Sequence, residues 1–559
     1  MNDRPGIDPL RLFLGAACVL ALWLGLAWWW HAAERAVPAI LFRTQDAPAL
    51  LIAIGGLVLL APFGRGRWGN MPSPRTLVLA LILIAALWAW GGHYAVFQDY
   101  ALSRDEEVAE FAAAYLREGM IARPIPPEWI GYRRAIMPEF FSPYGASVYW
   151  TAAYLPVNSA IRAAFDWLGD ADLAGPALLA AGLFALWRVA LRLFPDSMDA
   201  VWVVMLTALT SAQLSVTAMT PYAMTGHFAL NMIWLALVLR GGAVGHGGAA
   251  IVALVAGGLH QWHFPPIFIA PFLLWMLLGR RWAAFAFHGV VLALLVLIWA
   301  KLWPAFLLDH LGPPSDIRPT AGVGDKVGSL FTRLADKWQP LLNISRFLAW
   351  NNVLMVPLAI LAVAGMRWRD ALAGRSIILP LGLGCVIALA LALHQGYGWG
   401  FRYAQGSIGA FCLLAGFGWQ RLRAPSLRPV LLGGALSLVV AAFLTVRAHD
   451  YVAPYAAADR LVHATRADVV LVDPRGGMFV TDLVRGRHGV PGAPMVMNLS
   501  MLDADDVDAL CARYTVAVLD WTAFRPLGVG PARWSNGRTA LLRDRMVRRG
   551  CGTAMAVGG

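Results

Sequence analysis

Long apolar runs recur along most of the chain, near 10–30, 47–63, 76–97, 174–194, 200–219, 222–239, 249–259, 264–278, 283–303, 347–365, 376–393, 406–419 and 429–446. A helix crosses the hydrocarbon core of a bilayer in roughly 20 residues, so the pattern predicts a mainly α, polytopic helical membrane protein with about 13 transmembrane helices. Several runs are short. The pair meeting near 260–265 predicts a re-entrant or broken element, which protein or a water-filled cavity must cover at membrane depth. The first run is of spanning length and ends in Trp28-Trp29-Trp30 without a small-residue cleavage site, so it predicts a retained helix. The glycine-rich stretch 241–248 predicts a loop on the cytoplasmic side.

After the last run the pattern changes. Val469-Val470-Leu471-Val472-Asp473, Pro494-Met495-Val496-Met497 and Val516-Ala517-Val518-Leu519-Asp520 predict short buried strands, with a helical stretch between Asp503 and Tyr514. The chain thus divides into a transmembrane domain, 1–446, carrying a large polar loop at 98–173, and a small α/β domain at 447–559.

Composition explains why the bilayer must be the solvent: 59% of the 559 residues are apolar and 14% are charged. In a soluble chain a formal charge of +12 would suggest nucleic acid. Here the charge is mostly arginine in short loops. Arg65/Arg67/Arg75, Arg280/Arg281, Arg367/Arg369/Arg375 and Arg421/Arg423/Arg428 all fall on one side if the helices alternate, and that side is the cytoplasm. The N-terminus is then cytoplasmic, and 98–173, 304–346, 394–405 and everything after 447 lie outside. Of the five cysteines, Cys18, Cys385 and Cys412 lie in apolar runs, which leaves Cys511 and Cys551 as the pair able to form a disulfide in an oxidising compartment.

Candidate chemistry gathers outside. Ser103-Arg104-Asp105-Glu106 has the form of a capping box, and Val108, Phe111, Ala112 and Tyr115 follow at helical spacing, predicting an amphipathic helix on the membrane surface. Asp105 in its first turn is either a helix-start carboxylate or a general base. Met137-Pro138-Glu139-Phe140-Phe141-Ser142-Pro143-Tyr144-Gly145 and Val148-Tyr149-Trp150 form a proline-broken aromatic stretch, suited equally to an aromatic belt and to substrate contact. His260-Gln261-Trp262-His263 places polar groups at a predicted helix end, as interhelical contacts or as a site for a phosphate or hydroxyl. Arg402 is the only cation between His394 and Gln405; it either snorkels or pairs locally, or binds an anion.

These residues resemble the GT-C superfamily of integral membrane glycosyltransferases, such as the protein O-mannosyltransferases and the bacterial aminoarabinose transferases. The resemblance rests on Asp105-Glu106 followed by Glu110-Phe111, on Ser142-Pro143-Tyr144 to Tyr149-Trp150, and on Gly398-Trp399-Gly400-Phe401-Arg402-Tyr403. It implies an inverting transfer of a sugar from a polyprenyl-phosphate donor to a hydroxyl of a lipid, glycan or protein acceptor, at the periplasmic face of the bacterial inner membrane. Asp105 would be the base with Glu106 beside it, and Arg402 with Tyr403 would hold the donor phosphate. His260, Gln261, His263, His227, His394 and Tyr144 would line a substrate pocket. Where several members carry a further acidic residue this chain reads Tyr222-Ala223-Met224-Thr225-Gly226-His227, so that role is not carried over to His227. No metal ligand or cofactor is assigned, and a divalent ion is left open. Two other readings fit the same features: a transporter or flippase of polyprenyl-linked glycan, and a non-catalytic subunit of the same fold.

Overall fold

The computed structural model of the chain describes residues 7–31, 37–65, 74–136, 141–144, 148–313, 339–391, 395–423, 425–485, 493–530 and 537–551. A helix occupies each of the apolar runs. Among the described residues six helices are long and apolar enough to cross a membrane, namely Pro9–Trp29, Val37–Gly64, Arg75–Phe97, Ala171–Leu193, Trp282–Leu311 and Arg428–Ala464. Two bent pairs raise the number to eight, and Met224–Arg240, Gly242–Gly257, Phe264–Leu278 and Ile378–Ala390 are apolar but shorter. By fold and composition the chain is a polytopic helical membrane protein.

Two compact units divide it. The first comprises Met1–Gly92, Asp172–Trp303 and Pro319–Arg447; the second comprises His93–Ala171, Pro304–Arg318 and Ala448–Gly559.

In the first unit, small residues let helix backbones approach closely, as expected where lipid removes the hydrophobic drive for helix association. A Cβ on Gly418 would lie 1.8 Å from the carbonyl oxygen of Leu358 on the neighbouring helix Met355–Ala364. The two bent pairs break where polar residues interrupt the apolar runs. Met198–Leu209 turns by 52° into Ala212–Ala218, and Pro340–Trp350 turns by 105° into Met355–Ala364. Across these breaks Ser211 donates to Asn351 at 2.8 Å and Asn352 donates to Thr210 at 2.8 Å. Side-chain amides and hydroxyls thus offer polar partners where helical bonding is interrupted.

The stretch 241–248 is not the expected loop, because Gly242–Gly257 is a helix. The turn is confined to Gly241 and Gly242, whose φ values of 71° and 69° suit glycine. The following glycines allow close packing, since a Cβ on Gly245 would sit 2.6 Å from the carbonyl oxygen of Leu237.

Among its described residues the second unit contains two three-stranded sheets. Strands β1 (Arg123–Pro124), β2 (Phe141–Tyr144) and β3 (Tyr149–Ala152) pair antiparallel in the order β1-β3-β2. Strands β4 (Val469–Val472), β5 (Met495–Asn498) and β6 (Val516–Leu519) pair in parallel in the order β5-β4-β6. The helix Ala504–Arg513 makes the crossover between β5 and β6, and Asp503 caps it in a capping box with Asp506. Cys511 and Cys551 form a disulfide, with Cα atoms 5.8 Å apart.

One apolar core unites early and late parts of this unit. Val108, Phe111, Ala112 and Tyr115 of the helix Arg104–Arg117 belong to the same cluster as Trp150, Leu471, Met497, Leu510 and Val518. The amphipathic pattern of the helix is thus explained by protein packing. Its apolar stripe is buried in protein, with Phe111 edge-on to Trp150 at 5.9 Å between ring centroids. Trp150 is fully buried rather than part of an aromatic belt. Residues 137–140 and 145–147 lie outside the described residues.

Candidate functional site

In the second unit the helix Arg104–Arg117 begins as its sequence predicts. Ser103 is the N-cap, and the Glu106 carboxylate accepts from the Ser103 backbone N–H at 2.9 Å and from its hydroxyl at 2.7 Å. Glu106 is fully buried, so its position in the structure is that of the reciprocal cap. Asp105 points elsewhere. It is half-buried, and its carboxylate accepts a hydrogen bond from the hydroxyl of Tyr154, a short way beyond β3. A carboxylate in a first helical turn is favoured in its ionised form by the exposed backbone N–H groups around it.

Beside this helix start lies a group that the sequence reading did not single out. Asp482, almost fully buried, pairs with the Arg104 guanidinium at 3.1 Å, while Arg104 also reaches the Thr481 hydroxyl at 3.5 Å. Arg485 lies over the ring of Tyr100 at 3.9 Å, donates to the Ala101 carbonyl and pairs with Asp459 at 3.6 Å. Burial pushes the Asp482 carboxyl up to about 6, against the pull of Arg104 and Arg485, and pushes the Tyr100 hydroxyl well above its usual range. Residues some 380 positions apart meet here, and no local pattern around 481–485 announces it.

In the first unit Arg402 opens a short 3-10 helix, Arg402–Ser407, after the turn that begins at Gln395. Three glutamines pin this turn. Gln213 donates to the Phe401 carbonyl at 2.7 Å, Gln395 to the Gly400 carbonyl at 2.9 Å, and Gln405 to the Thr217 hydroxyl at 2.5 Å. Gly400 has φ of 66°, and a Cβ there would meet the Gln213 side chain at 2.7 Å; one on Gly398 would meet the Gln395 amide at 2.7 Å. These glycines thus bring the backbone against the chain's own side chains. Arg402 is buried, with its guanidinium over the rings of Tyr222 at 4.7 Å and Tyr403 at 5.1 Å.

Phe264 draws several of the predicted pocket residues together. Its ring lies 5.0 Å from that of His227, 5.7 Å from His260, 4.7 Å from His263 and 5.7 Å from Tyr403. His227, Asn231, Tyr403 and Ser407 line a small recess together with Met224, Phe264 and Phe268. His227 is almost fully buried, and neither ring nitrogen has a hydrogen-bond partner among the described residues. Gln261 lies half-buried in the connection between Gly242–Gly257 and Phe264–Leu278. His394 lies outside the described residues, and Tyr144 stands opposite Tyr149 in the β2–β3 register. Asp105 and Glu106 belong to the second unit, and Arg402, Tyr403, His227, His260, Gln261 and His263 to the first.

No family model and no curated protein matches the chain. Among solved structures it is similar to ArnT from Cupriavidus metallidurans in the apo state, at 12% identity over 81% of this chain and 91% of that one, with a TM-score of 0.49.

Proposed function

We propose that this protein is an inverting glycosyltransferase that moves a sugar from a polyprenyl-phosphate carrier to an acceptor hydroxyl at the periplasmic face of a bacterial inner membrane. The observation that carries the reading is Asp105: a half-buried carboxylate outside the apolar spans, in a first helical turn, fixed by the Tyr154 hydroxyl. Glu106, by contrast, is engaged by Ser103.

In this reading the acceptor oxygen attacks the anomeric carbon and gives its proton to Asp105. The bond from that carbon to the phosphate oxygen breaks, and its electron pair leaves on the carrier phosphate. One displacement inverts the anomeric centre. Arg402 has the role of binding the carrier phosphate, where a planar guanidinium can make two parallel hydrogen bonds. His227, His260 and His263 have the role of contacting the polar part of a substrate, and Glu106 that of fixing the helix start from which Asp105 works.

The test is release of polyprenyl phosphate by the full chain in nanodiscs, from a panel of polyprenyl-phosphate hexoses and pentoses offered with membrane lipid, glycan and peptide acceptors. Release that depends on an acceptor and is abolished in Asp105→Asn supports the reading. Release by neither form, with movement of labelled donor between the leaflets of proteoliposomes, would favour transport.

A further inference from the structure

The segment leading into the Asp105 helix is gripped by one distant turn. Arg485 covers Tyr100 at 3.9 Å and donates to the Ala101 carbonyl; Asp482 holds the Arg104 guanidinium at 3.1 Å; Thr481 accepts from Arg104 at 3.5 Å. Tyr100, Ala101 and Arg104 are thus all engaged before the chain reaches Asp105. The same approach carries backbone strain, since Gln98 and Asp99 have φ of 58° and 54°. Such values cost a residue other than glycine of order 1 kcal/mol each and persist only where surrounding contacts hold them.

We propose that the 481–485 turn is the positioning element for Asp105, with Asp482 acting through Arg104 to set the first turn of the helix. This rests on the reading of Asp105 as the general base. Asp482 touches no substrate. A buried ion pair contributes little net stability, because desolvation offsets much of the attraction, but it demands one geometry of both partners. Transfer of a proton requires that geometry, since a displacement of about 1 Å at a reacting group can cost on the order of a hundredfold in rate.

The arrangement also predicts how acid acts. Among the described residues, the charged and titratable groups facing Asp482 are Arg104 at the helix start, Arg485 on its own turn, Tyr100 ahead of the helix, and Tyr455 on the helix Arg428–Ala464; Arg485 in turn faces Asp459, Glu107 and Glu110. Asp482 is raised from 3.8 to about 6, so between those values the folded protein holds a proton that the unfolded chain has released. This group's contribution to stability therefore grows as pH falls through that window, while its ion pair with Arg104 is lost. Positioning and stability move in opposite directions, which separates the two roles.

The experiment uses the full chain in nanodiscs and compares wild type, Asp482→Asn and Arg104→Lys by amide hydrogen exchange over 101–107 and by polyprenyl-phosphate release between pH 5 and 8. For Asp482→Asn we expect exchange about tenfold faster at those amides and an unchanged melting temperature. Its kcat should fall about 10- to 100-fold with KM little altered, and wild type, but not this variant, should lose rate as pH falls below about 6. Arg104→Lys keeps the charge but loses the planar fork, so a smaller loss is expected, and it carries the test alone if Asp482→Asn does not fold. Unchanged exchange in both variants while Asp105→Asn is inactive overturns the positioning role and leaves the base assignment standing. Faster exchange with wild-type kcat and pH profile overturns it as well. Full turnover in Asp105→Asn is the failure of the base reading itself, and positioning for transfer falls with it.

Discussion

The hydroxyl of Tyr154 donates its hydrogen bond to the Asp105 carboxylate, tying the segment beyond β3 to the first turn of the helix Arg104–Arg117. A hydroxyl hydrogen bond orients the carboxylate that is to take up the proton. Tyr154→Phe should therefore lower transfer about tenfold while leaving the fold intact, and Asp105→Asn should abolish it. Steady-state release of polyprenyl phosphate from both variants checks this; a fully active Asp105→Asn would show that the carboxylate only stabilises the helix start.

The Arg402 guanidinium lies over the rings of Tyr222 and Tyr403. If it binds the carrier phosphate, Arg402→Lys should weaken donor binding about tenfold or more, because an ammonium does not reproduce the planar fork. Titration of a fluorescent polyprenyl phosphate into nanodiscs containing each form measures this. Wild-type affinity in Arg402→Lys and Arg402→Ala alike would remove the residue from the donor site.

Gly400→Ala places a Cβ 2.7 Å from the Gln213 side chain at a backbone φ of 66°. The strain and the displaced amide should together destabilise the protein by roughly 1–3 kcal/mol and disturb the turn that carries Arg402. A lowered melting temperature accompanied by weakened donor binding is the expected pair of results.

The Cys511–Cys551 disulfide closes a loop of 40 residues that includes β6. Reduction, or Cys551→Ser, should lower stability by about 2–4 kcal/mol, read as faster amide exchange in the helices Ala504–Arg513 and Gly537–Arg548. Exchange unaffected by reductant would mean that their shared apolar contacts suffice.

The arginine-rich loops predict an N-terminus in the cytoplasm and the 448–559 segment outside it. A reporter fused after Gly559 should be active in the periplasm. Activity in the cytoplasm would place Asp105 on the wrong side for the proposed reaction.

Much of this architecture was legible in the sequence because it rests on local periodicity. Long apolar runs located the helices, short apolar runs located β4, β5 and β6, and Ser103-x-x-Glu106 located a helix start to within one residue. Elimination of the cysteines in apolar runs left the pair that is bonded. Such signals reflect what a few consecutive residues can do alone.

What needed the tertiary structure was every partnership across the chain. An amphipathic stripe states that Val108, Phe111 and Tyr115 will be buried but not in what; lipid and the core of the 448–559 segment satisfy the same pattern, and the core is what covers them. Polar residues in apolar runs, such as Thr210, Ser211, Asn351 and Asn352, mark interruptions, yet only the fold pairs one break with another. Glycine spacing likewise could not distinguish room for a ligand at Gly398 and Gly400 from close packing on Gln395 and Gln213. Asp482 and Arg485 carry no local signature at all. A buried charge gains its meaning from the charges placed beside it, and Arg104 and Asp459 are brought there by packing of segments remote in sequence.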